Sequence, residues 1–168
     1  MKISETVAIA RISELGMDDL PLVEYTPKPS KLPNDWFSRY RVLCHQFMES
    51  LTDYATDIAF MNLSQKEFMA LITGQALPRN TSIRWRIPLT IGGEISIENM
   101  FLCRTFPHSH NMDRFILEQS GNDTLWLPAP EKPIYTPTHT ANGGAGGNTA
   151  SDRLTQIAVQ MANDNSLG

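Results

Sequence analysis

The stretch IRWRIPLTIGGEISIENMFLCRTFPHSHNMDR, residues 83–114, changes its period twice. Its opening alternates apolar and polar residues around Ile83, Trp85 and Ile87, the two-residue period of a half-buried strand. Gly92-Gly93 marks a tight turn, and ISIENMFLC then returns as an apolar run. In SHNMDRFILEQ, Met112, Phe115 and Ile116 fall on one helical face. Strand, turn, strand and helix in this order predict an α+β fold built around a hairpin and a following helix.

Working upstream, QALPRNT separates this unit from a capping box, Ser64-Gln65-Lys66-Glu67, that opens a helix closed by Gly74. A longer helix is predicted over residues 35–59, capped by Asn34 or Asp35, with Phe37, Tyr40, Leu43, Cys44, Phe47, Met48 and Leu51 on its apolar face. Before it, MDDLPLVEYTPKPSKLP carries prolines at 21, 27, 29 and 33, which predicts an extended linker. The first helix is expected over residues 4–15, with Ala8, Ile12 and Leu15 at i, i+4 and i+7 and Gly16 as its C-cap.

Downstream, TLWLPAPEKPIYTP reads as an extended strap held by Trp126 and Leu127. THTANGGAGGNTA, residues 138–150, has the composition of a flexible linker. Leu154, Ile157, Ala158 and Met161 then recur at i, i+3, i+4 and i+7, with Ser151 or Asp152 as cap. So short an amphipathic helix is marginal alone in water, and its stripe wants a partner: this chain, a second copy or another protein. The organisation expected is a short helix and Pro-rich linker over 1–33, a core domain over 34–137, a Gly-rich linker over 138–150 and a C-terminal helix over 151–168, with flexible termini.

Composition sets the bounds. A chain of 168 residues fits about one domain, and 41% hydrophobic content is enough for a packed core. No apolar run approaches a membrane span, and Glu5, Arg11, Glu14, Asp18 and Asp19 break any secretory core in the first twenty residues. A cytoplasmic protein with Cys44 and Cys103 reduced, and no membrane partner, is the expectation. The net charge of −4 argues against a non-specific nucleic-acid binder. Between residues 79 and 114, however, Arg79, Arg84, Arg86, Arg104 and Arg114 outnumber Glu94, Glu98 and Asp113, and every cation is the residue best suited to phosphate.

Over about residues 70–116, the pattern resembles the HNH, or ββα-metal, nuclease family. Arg86-Ile87-Pro88-Leu89-Thr90-Ile91-Gly92-Gly93 matches the family's hairpin segment, and Ile97-Glu98-Asn99-Met100-Phe101-Leu102-Cys103-Arg104 matches the segment that carries its Asn. His108 and His110 stand about where the helix His belongs. The resemblance implies a ββα core. In the family a strand His activates water, the Asp beside it and a helix His hold a divalent metal, and the Asn supports the base and the loop.

This chain departs from the pattern at both central positions. Trp85 stands at the base position, and an indole N–H cannot accept a proton. Arg84 stands at the metal Asp position, where a guanidinium repels a cation but can take over the metal's electrostatic role or contact phosphate. No Cys pair precedes the hairpin and Cys103 is alone after it, so a four-ligand zinc site is not expected. Trp85 either stacks on a base, plugs the old cleft or packs in the core. Asn99 is expected to bond the loop backbone. Weak metal candidates are His108, His110 and Asp113; were the domain active, His108, His110 and Asn99 would carry the chemistry and a divalent metal would be its cofactor.

Three functions follow. The first is a catalytically inactive HNH-like protein of phage or mobile-element type, needing no cofactor, that binds DNA or RNA through Arg84, Trp85, Arg86, Arg104 and Arg114. The second is an assembly, interaction or inhibitor protein whose core is a scaffold and whose tethered helices, Leu154, Ile157, Ala158 and Met161 among them, engage a second copy or another protein. The third is an active nuclease with a relocated centre.

Overall fold

The computed structural model describes residues 2–137. Helix α1, Glu5–Glu14, starts where the Ser4 hydroxyl accepts the Val7 N–H at 3.2 Å. It ends before Gly16, whose φ of +84° turns the chain away. Met17 and Leu20 are buried just beyond it. The stretch expected as a linker then forms strand β1, Leu22–Tyr25, antiparallel to β4, Leu125–Pro128, with Leu22 opposite Pro128 and Tyr25 opposite Leu125. The prolines at 21 and 27 flank this four-residue strand and leave its amides free for the ladder, so they bound the strand instead of forbidding it.

The helix expected over 35–59 is broken. It comprises α2, Trp36–Ser50, a 3₁₀ turn over Leu51–Tyr54, and α3, Ala55–Ala59. The Ser50 and Thr52 hydroxyls donate to the carbonyls of Phe47 and Glu49 three residues back, a local competition that goes with the tightened turn. Helix α4, Gln65–Ile72, carries the predicted capping box: Glu67 N–H to Ser64 Oγ at 3.1 Å and Ser64 N–H to Glu67 Oε1 at 3.2 Å.

Strand β2, Thr81–Trp85, pairs antiparallel with β3, Met100–Arg104, placing Ile83 opposite Leu102, Arg84 opposite Phe101 and Trp85 opposite Met100. A single π-type turn over Thr105–Ser109, containing a cis Phe106–Pro107 bond, leads into α5, His110–Leu117. The strap returns along β3: Leu102 N–H donates to Pro133 O at 2.7 Å, and Tyr135 N–H donates to Leu102 O at 2.8 Å.

β3 is the centre of the molecule, and both of its faces are buried. Phe101 and Cys103 pack with Ala8, Ile12, Met112, Phe115 and Trp126. Met100 and Leu102 pack with Phe47, Leu51, Ile58, Leu71 and Ile134. The α+β expectation holds, as helices and two small antiparallel sheets share this core. Among the described residues no helix is long and apolar enough to cross a membrane.

Candidate functional site

The loop between β2 and β3, residues 86–99, is built on two glycines and one asparagine. Gly92 has a φ of +108° and lies against the Tyr25 hydroxyl and Lys28. A Cβ at Gly93 would run into the carbonyl oxygens of Ile87 and Pro88. The Tyr25 hydroxyl donates to Ile91 O at 2.9 Å, which fastens the loop to the first sheet. Asn99 is buried. Its Oδ1 accepts the Ile87 N–H, and its Nδ2 donates to Ile87 O and Glu94 O, each bond at 2.9 Å. The expected loop-holding role of Asn99 is what these bonds provide.

The motif arginines, expected to line a nucleic-acid surface, turn inward. Ile83 and Trp85 face the apolar side of the β2–β3 sheet, so Arg84 and Arg86 alternate to the side covered by α5 and the strap. The Arg84 side chain is 12% exposed. Its Nη1 donates to Ser109 O at 3.2 Å, Ser109 Oγ at 2.9 Å and Asp113 Oδ1 at 2.7 Å. Its Nε is buried without an acceptor among the described residues. Arg86 lies over the Phe101 ring at 5.5 Å and donates to Glu98 O, Pro130 O and Lys132 O, clamping the strap. Arg104 reaches Met61 O at 3.4 Å. Burial pulls the Arg86 and Arg104 pKa values down. Arg114 is exposed, 3.5 Å from Glu118. Of the proposed contact set, Arg114 is the one fully exposed residue; Arg84, Trp85, Arg86 and Arg104 are partly covered, and the three arginines among them answer to carbonyls and a carboxylate that the sequence could not place beside them.

Trp85 is half-buried and packs on Tyr40, ring centres 5.7 Å apart. The proposed metal set does not converge. His108 meets the Tyr135 ring edge at 5.5 Å, His110 is exposed against Phe106 at 5.7 Å, and Asp113 is spent on Arg84. Among the described residues no group of His, Cys, Asp and Glu is arranged to hold a metal ion. Both thiols are free; burial pushes the Cys103 thiol up to about 12 and raises that of Cys44 as well. Leu154, Ile157, Ala158 and Met161 lie outside the described residues.

A second concentration of cations was not among the candidates. KPSKLPNDWFSRYR, residues 28–41, interleaves Lys28, Lys31, Arg39 and Arg41 with Trp36, Phe37 and Tyr40. That interleaving was legible, but the apolar period of the helix absorbed its aromatic residues. In the structure Phe37 is 56% exposed and Lys28, Lys31 and Arg41 are exposed. The chain matches no family model, and no curated protein or solved structure shows significant similarity to it.

Proposed function

We propose that this chain is an HNH-like protein without nuclease chemistry that acts by binding nucleic acid, in the manner of phage and mobile-element proteins of that family. The observation that carries this reading is Arg84. A guanidinium extends from β2 to the first turn of α5 and bonds Ser109 and Asp113, between the strand and the helix that hold the metal in the family. A fixed monovalent cation there leaves neither ligands nor electrostatic room for a divalent one. Beside it, Trp85 offers no basic nitrogen. The order β2, β3, α5 and the Asn99-tied loop support the HNH-like half of the reading. Phosphate contacts then fall to exposed cations, because Arg84, Arg86 and Arg104 are engaged internally.

A denaturing-gel assay tests the catalytic half. Single- and double-stranded DNA and RNA are incubated with the protein and Mg²⁺, Mn²⁺ or Ni²⁺, with and without chelator. No cleavage is expected. Chelator-sensitive cleavage that disappears in His110→Ala overturns it. Fluorescence anisotropy at low and moderate salt tests the binding half: affinity should fall as salt rises, and absence of binding to every nucleic acid at low salt overturns it.

A further inference from the structure

We infer that the first two turns of α2 form a stacking platform for single-stranded nucleic acid, an inference that rests on the nucleic-acid reading above. Trp36, Phe37 and Tyr40 make a continuous group of rings. Trp36 to Phe37 is 5.6 Å edge-on, Phe37 to Tyr40 is 6.3 Å, and Tyr40 to Trp85 is 5.7 Å. The group runs from the core outward: Trp85 and Tyr40 pack against the core on the Met100 and Leu102 face of β3, while Phe37 is more than half exposed. An exposed phenyl ring held by two neighbours offers a fixed π-face at little entropic cost.

Exposed cations lie close to the rings in sequence. Arg41 stands four residues after Phe37, on the same side of the helix. Lys28 and Lys31 precede the helix, and Lys28 N–H donates to Ile91 O at 2.8 Å, which anchors that approach to the β2–β3 loop. Among the described residues Lys28, Lys31 and Arg41 have no ion pair, whereas Arg39 is tied to Asp35 at 3.2 Å. Exposed Glu98, on a 3₁₀ turn over Ile97–Asn99 packed against α2, is an opposing charge. An exposed ring with free cations near it in sequence and on its own helix face matches a strand whose bases are unpaired and whose phosphates run alongside. In a duplex the bases are already stacked on one another, so the rings gain nothing there.

The test is anisotropy of a labelled oligothymidine and oligouridine of about 12 nucleotides, within the usual site size, against the full chain, Phe37→Ala, Arg41→Ala, the double variant and Lys66→Ala. Phe37→Ala should weaken binding about 5- to 150-fold, the usual range for one stacked base. Arg41→Ala should make the negative slope of log affinity against log salt shallower by about 0.7. Lys66→Ala, an exposed cation on α4, should change neither affinity nor slope beyond its long-range charge effect. Because Phe37 and Arg41 are exposed, fold is expected to be kept, and circular dichroism checks it. Quenching of tryptophan emission on binding is a second expected readout, through Trp36. Wild-type binding that the double variant retains in full overturns the platform and leaves the nucleic-acid reading standing. Duplex bound as tightly as single strand also overturns the platform. No binding by the wild-type chain overturns both.

Discussion

The two faces of β3 are held by different kinds of structure. On one face, Met100 and Leu102 meet α2, α3 and α4, which follow one another over residues 36–72. On the other, Phe101 and Cys103 meet α1, α5 and the residues around β4, so that segments near residues 8–20 and 101–135 close over one strand. The first face is apolar with an aromatic rim. The second is laced with polar ties across long sequence distances: Trp126 Nε1 to Ile3 O at 2.9 Å, Asn111 to Leu15 O at 3.1 Å, and the Tyr135 hydroxyl to Asp19 at 3.0 Å. Consecutive helices reach β3 with one continuous apolar face. Segments drawn from both ends of the described chain bring polar groups together at the other face, and those that are buried need partners.

The contrast yields graded expectations. Phe101→Ala and Leu102→Ala truncate adjacent residues that point to opposite faces. Phe101→Ala should cost about 3–5 kcal/mol and Leu102→Ala about 2–5 kcal/mol in urea unfolding. Both should move one cooperative transition, since one strand serves both faces. Two separable transitions, each sensitive to one variant, would split the molecule along β3.

A smaller effect is expected at the loop that joins the faces. Asn99→Ala removes three bonds and strands the Ile87 N–H, at a cost of roughly 1–3 kcal/mol. Its amide should then exchange quickly while the amides of β3 stay protected. Protection kept at Ile87 would assign the loop's rigidity to Gly92 and Gly93 instead.

The smallest effect concerns the polar lacing at its most exposed point. The Arg11 guanidinium donates to both Glu118 oxygens, at 2.8 and 2.7 Å, beside an apolar groove of about 330 Å³ between α1 and α5. Those bonds hold the Glu118 carboxyl below its ordinary value of 4.5. The folded pKa is the lower one, so the stabilisation is complete above about pH 4.5 and is lost as pH falls through the folded value. Glu118→Gln should flatten that part of the acid limb in thermal melts. An unchanged acid limb would show the tie to be decoration on the α1–α5 contact.

Legibility followed the same division. The α4 capping box, the Gly16 turn that ends α1, the alternation of β2 and the loop role of Asn99 were readable because each depends on neighbours within a few residues or on a backbone turn. Strand β1 was missed because its partner lies a hundred residues away and four residues carry too little period to announce a strand. The single helix over 35–59 failed because its apolar face continues through the 3₁₀ turn, and period alone is blind to the hydroxyls of Ser50 and Thr52. At its arginines the candidate site differs from the reading: arginine in a polar strand register was taken as solvent-facing, while α5 and the strap cover that side.

By itself the sequence determined the residue types at the decisive positions. Trp85 cannot serve as a base, Arg84 cannot ligate a cation, and Gly92-Gly93 marks a turn. Only the tertiary structure decided what the arginines touch, which aromatic residues stay exposed and how both ends of the described chain close on β3. Chemistry belongs to a residue wherever it sits; a charge or a ring becomes available or spent through neighbours that arrive from elsewhere in the chain.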